Sequence, residues 1–252
     1  MRINPYLSLF QTLVQALPRR SYGPTHQLSQ LGEKQPVVIL VSGFGATHRS
    51  LSIMSKRLGR DGYHVVVVSL AWSNISDGIE GLYRLARQLD ERVRSIRENP
   101  VGKQVPLYIV AHSAGGLVAR YYVQFLGGEK ECDGLITLAT PHTGTWYAGL
   151  GFLTPLAVKG RCLFHMLPIS PFIRKLNRAP LPTGLRLVNI YSGDDLLCSR
   201  DTQSLAAQEM INIGLAGYSH TDFLVRKYLY QVMLQNLRAG DVGHRMDAAE
   251  AA

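Results

Sequence analysis

Leu107-Tyr108-Ile109-Val110-Ala111-His112-Ser113-Ala114-Gly115-Gly116 is the stretch on which the fold turns. The run from Val105 to Ala111 (VPLYIVA) is apolar without a break. A half-exposed strand alternates, so this run predicts a strand covered on both faces. Small residues around one serine follow at once, and a helical pattern then extends from Gly115 to Leu126. Ser113 therefore falls at the junction of a buried strand and a helix. So tight a turn brings two backbones together and tolerates only small residues two before and two after the serine. Ala111 and Gly115 supply them, and Gly116 adds freedom at the helix start. The turn projects the hydroxyl outward and aims the helix N-terminus, with the Ala114 N–H, at any negative charge that develops there. Ser113 is the candidate nucleophile.

The same rhythm extends on either side. Pro36 to Val41 and His64 to Leu70 read as buried strands, and Ser50 to Leu58 reads as a helix between them. Ile79 to Arg97 carries apolar residues at 79, 82, 85, 86, 89, 93 and 96, with charges opposite, and predicts a helix. Gly134 to Ala139 is a fourth strand. The order β-α-β-α-β-α-β with two-sided apolar strands predicts a mostly parallel sheet with helices on both faces. Residues Pro141 to Pro182 break the rhythm with six prolines and five Trp, Tyr or Phe residues. Long irregular insertions are usually functional, so a cap is expected at about residues 146–182. Leu185 to Tyr191 and Glu209 to Ile213 resume as strands, and Phe223 to Leu237 closes as a helix. The expected domain is 35–238, with a helical extension and connector over 1–34 and a frayed tail over 239–252. The stripe at 6, 7, 9, 10, 13, 14 and 17 fits a helix packed on the core, or one lying on a membrane surface.

Composition narrows the classes. The chain has 252 residues, 46% hydrophobic and 18% charged, which excludes wholesale disorder and a coiled coil. Its longest apolar runs are strand-sized, so no transmembrane segment is expected. The net charge of +9 permits contact with anionic surfaces. No run of five like charges and no Arg/aromatic patch points to nucleic acid. Three cysteines (Cys132, Cys162 and Cys198) form neither a disulfide framework nor a zinc-ligand spacing. Polar residues interrupt the first apolar stretch before it reaches signal-peptide length. A reducing, cytoplasmic setting is expected, with peripheral membrane association as an option.

With these motifs the chain resembles the α/β-hydrolase superfamily, and within it the bacterial lipase/esterase group whose nucleophile box reads Ala-His-Ser-x-Gly-Gly. Val41-Ser42-Gly43-Phe44-Gly45 resembles that group's oxyanion loop, with Ser42 where a histidine is usual. Thr140-Pro141-His142-Thr143-Gly144-Thr145 resembles the loop after its next strand. Ile190-Tyr191-Ser192-Gly193-Asp194-Asp195 and Gly217-Tyr218-Ser219-His220 resemble the acid and histidine loops. The resemblance implies the α/β-hydrolase fold over about residues 36–237 and a serine ester hydrolase, esterase or lipase. It implies Phe44 and Ala114 N–H groups as oxyanion donors, with Gly43, His142 and Trp146 near the substrate, and no metal or organic cofactor.

In this fold the order is nucleophile, acid, histidine. Of the histidines after Ser113, His142 follows a proline at a strand exit, His165 lies in the insertion and His244 in the expected tail. His220, between the last strand and the last helix, is the candidate base. The strand ending at Tyr191 exits into Asp194-Asp195. Asp195, which precedes Leu196-Leu197, is the candidate acid and Asp194 its alternative, with Asp201 and Asp222 more distant options. The expected partner is an ester or lipid. An acyltransferase or thioesterase would use the same three residues, and a non-catalytic binding protein would need none of them. From Gly134 to Gly193 there is no Asp or Glu, yet Lys159, Arg161, Arg174, Lys175, Arg178 and Arg186 are present. These predict an apolar, cationic cap over Ser113 that favours anionic substrates or interfaces.

Overall fold

The computed structural model describes residues 35–44, 46, 48–68, 81–153, 161–198, 203 and 209–250. The expectations for 1–34, for the strand end at 69–70 and for the helix start at Ile79 lie outside these residues. Six strands form one sheet: β1 (Val37–Val41), β2 (His64–Val68), β3 (Leu107–His112), β4 (Gly134–Leu138), β5 (Arg186–Ser192) and β6 (Met210–Leu215). Their order is β2-β1-β3-β4-β5-β6, and every neighbouring pair is parallel. The helices are α1 (Ser52–Arg60), α2 (Gly81–Glu98), α3 (Ala114–Phe125), α4 (Pro171–Arg178), α5 (Asp222–Val225) and α6 (Lys227–Glu250).

The unbroken apolar strands are explained by two cores. Val37, Ile39 and Val41 face the side covered by α2, α3 and α4, while Val38 and Leu40 face α1 and α6. Successive side chains of a strand point to opposite faces, so a sheet covered twice needs apolar residues at every position. The α2 stripe of Leu82, Leu85, Ala86, Leu89, Val93 and Ile96 is buried throughout. Each buried Leu or Ile of this kind contributes roughly 1.5–3 kcal/mol relative to its exposed state.

Two boundaries differ from expectation. The closing helix is divided at Arg226, whose backbone is extended, and it then runs on to Glu250. The expected boundary at 238 therefore falls inside α6, and the stretch expected to fray is helical to Glu250. Arg, Met, Ala and Glu propagate a helix well once a packed turn precedes them. Tyr63 supplies an anchor there, donating to Asp241 Oδ2 at 2.7 Å.

The sheet positions the candidate site. The chain steps from β1 to β2 on one side and returns to β3 on the other, so β1 and β3 are neighbours at the point where strand order reverses. Such a switch point opens a crevice beyond the C-terminal strand ends. There Val41 pairs with Ala111, so the Ser42-Gly43 loop and Ser113 emerge side by side.

Candidate active site

Ser113 takes a conformation that few residues other than glycine adopt, φ 56° and ψ −130°. Surrounding bonds impose this strain. The Ser113 N–H donates to Leu138 O at 2.9 Å, and Thr140 Oγ1 donates to Ser113 O at 3.0 Å. The glycines are there for close approach. A Cβ on Gly115 would lie 2.6 Å from Ser42 O, and one on Gly43 2.8 Å from Ser113 Cβ. Gly43 thus abuts the serine directly.

Ser113 Oγ lies 2.9 Å from His220 Nε2, and His220 Nδ1 lies 2.7 Å from Asp195 Oδ2. His220 and Asp195 are both buried. The other carboxylate oxygen, Asp195 Oδ1, accepts from the Leu197 and Cys198 N–H groups at 2.9 and 3.2 Å. Asp194 points elsewhere: it is exposed, and its Oδ2 accepts from the Gly217 N–H at 2.6 Å. The structure therefore brings Ser113, His220 and Asp195 into one chain of contacts and leaves Asp194 to brace the histidine loop. Asp222 braces the same loop through the Ser219 N–H and hydroxyl. Burial raises the Asp222 carboxyl, but hydrogen bonds from Arg226 and Ser219 outweigh it and hold the group below its ordinary value. Asp201 lies outside the described residues.

Asp195, Cys198 and His220 also form a three-donor cluster of the kind that could hold a metal ion. Its donors are already committed. Both His220 nitrogens and both Asp195 oxygens are hydrogen-bonded, and burial drives the Cys198 thiol well above its usual range. An ion there would have to displace the hydrogen bonds that tie His220 and Asp195 to the serine and to the acid loop.

One other candidate is placed differently from expectation. His142 is 0% exposed and its Nε2 lies 3.0 Å from Thr137 Oγ1, so no substrate can touch it. The same loop exposes Trp146. Phe44 is half-buried against the core on the α2–α3 side. The cations of the insertion are also displaced. Helix α4 buries Phe172, Ile173 and Leu176, while Arg120 and Gln124 of α3 donate to the Leu176 carbonyl. That docking places Lys175 Nζ 2.9 Å from Tyr121 Oη and 4.5 Å from the Phe125 ring. Tyr121 and Phe125 lie eight and twelve residues after Ser113, roughly 12–18 Å along α3. The cations of α4 do not overlie Ser113. Consequently, Arg174→Gln/Lys175→Gln/Arg178→Gln leaves kcat/KM for short soluble esters, acidic or neutral, within about twofold, as steady-state assays at low salt would report.

Several supporting residues were not singled out as site candidates. His112, the residue before the serine, donates from Nε2 to the His220 carbonyl at 3.0 Å, with the two rings 4.8 Å apart. Burial and the neighbouring His220 push His112 down to about 3. Burial, then the Arg120 charge, push His142 well below its usual value. Below the strand ends, Thr137, Asn189 and Asn212 share one register row across β4, β5 and β6. Asn189 donates to Asn212 Oδ1 and to Gln203 O, and Gln203 Nε2 in turn donates to Ser192 O and Cys198 O. The acid loop is thus held from beneath. Polar residues inside apolar strands were the available signal.

The neutral histidines give stability an acid limb. Both bind protons more readily unfolded, where the ordinary pKa is about 6.5. Their contribution is complete above about pH 6.5 and is lost as pH falls toward the folded values, with up to two protons taken up on unfolding. Urea titrations across this window will give a slope near 2.7 kcal/mol per pH unit at its steepest, and His112→Asn will roughly halve it.

Residues 32–159 match the model of the family described as "Putative serine esterase (DUF676)". The chain belongs to this family. The matched segment of this esterase family includes Ser113 and ends before Asp195 and His220. No curated protein matches the chain. Among solved structures, the chain is similar to MGS-MChE2, an α/β hydrolase from the metagenome of Mar Chica lagoon sediments in Morocco. The TM-score is 0.64 at 10% identity, covering 83% of this chain and 93% of that one. It is similar to Paleococcus ferrophilus monoacylglycerol lipase, TM-score 0.60 at 13% identity, covering 82% and 97%. It is similar to Aspergillus fumigatus lipase B, TM-score 0.63 at 18% identity, covering 83% of this chain and 53% of that one. The fold is the α/β-hydrolase fold.

Proposed function

We propose that the protein is a serine carboxylic-ester hydrolase acting on ester or lipid substrates. The observation that carries this reading is the chain of contacts from Ser113 Oγ through His220 to Asp195, 2.9 and 2.7 Å long, at the crevice beyond the strand ends. Family membership supports the same reading. A serine hydroxyl is a weak nucleophile at its free pKa. His220 Nε2 takes the Ser113 proton as Oγ attacks the ester carbonyl. His220 Nδ1–H donates to Asp195 Oδ2 throughout, which fixes the tautomer and stabilises the imidazolium. The oxyanion is held by the Ala114 N–H, which as the first residue of α3 has no intrahelical acceptor, and by the Phe44 N–H. Each such donor is worth roughly 3–4 kcal/mol in the transition state. His220 returns the proton to the departing alcohol, leaving acyl-Ser113, and water then repeats the sequence. Gly43 leaves room beside Ser113 for the carbonyl, and Trp146 borders the acyl chain.

p-Nitrophenyl esters of increasing chain length, assayed with and without a lipid emulsion, test this function. Saturable release of nitrophenol that is lost in Ser113→Ala supports it. Absence of turnover on every ester contradicts it.

A further inference from the structure

The insertion keeps apolar side chains in water at a cost. Nine large apolar side chains are exposed among the described residues, and four of them fall between 146 and 169. Trp146 is 63% exposed, Ile169 55%, Tyr147 50% and Phe164 44%. These four belong to one block. The Thr145 N–H donates to Met166 O at 2.7 Å, and Gly144 packs so tightly on Met166 and Pro168 that a Cβ would lie 2.7–2.8 Å from their backbones. Ser170, next to Ile169, donates to His165 O and caps α4 by accepting from the Ile173 N–H. Thr145 Oγ1 donates to Leu197 O at 3.0 Å, so the block adjoins the acid loop, where Leu196 is also exposed.

The same block ends in a cationic groove of about 570 Å³, lined by Phe125, Pro171, Arg174, Lys175, Arg178 and Ala179. Arg174 and Arg178 stand one helical turn apart, and neither makes an ion pair among the described residues. Like charges at this spacing repel, and an external anion relieves them. Lys175 is held ready over the Phe125 and Tyr121 rings, at 4.5 and 4.9 Å. A protein partner would have to supply all the acidic groups itself, because no Asp or Glu occurs from Gly134 to Gly193. Exposed aromatic rings beside uncompensated Lys and Arg match the headgroup region of an anionic bilayer, where rings enter the acyl boundary and cations meet phosphates.

We infer that the insertion docks the protein on an anionic phospholipid bilayer, with Trp146, Tyr147, Phe164 and Ile169 entering the interface and Arg174, Lys175 and Arg178 holding headgroup phosphates. The inference is independent of the hydrolase reading. No helix among the described residues is long and apolar enough to cross a membrane.

Sedimentation of the full chain with phosphatidylcholine vesicles, with and without phosphatidylglycerol, tests it. Binding to the anionic vesicles is expected, weakening as salt rises. Each Lys or Arg near such a surface is worth about fivefold, so Arg174→Gln/Lys175→Gln/Arg178→Gln loses about a hundredfold. The charge-preserving Arg174→Lys/Lys175→Arg/Arg178→Lys retains most of the binding, which separates charge from misfolding. Trp146→Ser/Tyr147→Ser/Ile169→Ser weakens binding at every salt concentration. Ser113→Ala binds as the wild type does, whatever becomes of the esterase assay. Equal binding by the wild type and the Gln triple variant overturns the inference and moves membrane contact to another segment. Displacement of the protein from vesicles by inorganic phosphate at low concentration also overturns it, in favour of a small-anion site.

Discussion

Ser113→Ala and His220→Ala each lower kcat for ester hydrolysis by about 10⁴-fold or more, and the double variant loses little beyond either single one. In the proposed mechanism the two residues act as a unit: the hydroxyl is reactive only while His220 Nε2 can take its proton, and His220 has nothing to deprotonate without the serine. Neither change disturbs the fold. Alanine keeps the Cβ of Ser113, and the bonds that hold this residue at φ 56° come from its own N–H and carbonyl, paired with Leu138 O and Thr140 Oγ1. In His220→Ala the backbone carbonyl that accepts from His112 is unchanged. Melting temperatures should therefore stay within a few degrees of wild type while turnover falls to the level supplied by the oxyanion donors alone. Comparable losses of Tm and activity would mean that the residues are structural.

The second large effect separates two neighbours. Asp195→Asn should cost about 10⁴-fold in kcat, as replacement of the triad carboxylate does when geometry is kept but the histidine tautomer is not. The asparagine carbonyl can still accept from the Leu197 and Cys198 N–H groups, which now bond Asp195 Oδ1. Its amide then faces His220 Nδ1 with a donor where an acceptor is needed. Asp194→Asn has none of these consequences. The group is exposed, and its bond to the Gly217 N–H survives with an amide oxygen as acceptor. A loss below about threefold is expected there, because an exposed group bonded to one backbone amide contributes little. Steady-state kinetics on both variants decides the matter, and the reverse ranking would move the acid to Asp194.

What could be read from the sequence follows from the range of the forces involved. The strands were legible because a sheet covered on both faces demands unbroken apolar runs such as Val37–Val41. The serine turn was legible because backbone crowding leaves its demand for small residues in the sequence, as at Gly115. Asp194 and Asp195 could only be ranked, since the direction of each side chain depends on a loop fixed by Asn189 and Gln203 from below. The insertion was legible as an interruption but not as a position. Where α4 docks is chosen by Arg120 and Gln124, more than fifty residues away, reaching its last carbonyls. No local pattern encodes that choice, so the cations were expected over Ser113 rather than beside Phe125. His142 was expected at the substrate because it follows a strand exit. Its contact with Thr137 instead turns it into the interior.

Reaction of the full chain with a fluorophosphonate probe, followed by peptide mass spectrometry, decides whether Ser113 is the nucleophile. The reagent forms a stable phosphonyl ester only with a serine whose proton has a ready acceptor. One adduct per chain is expected, on Ser113, lost in Ser113→Ala and formed at least a hundredfold more slowly in His220→Ala. No adduct in the folded wild-type protein, or an adduct on another residue at the same rate, would contradict it.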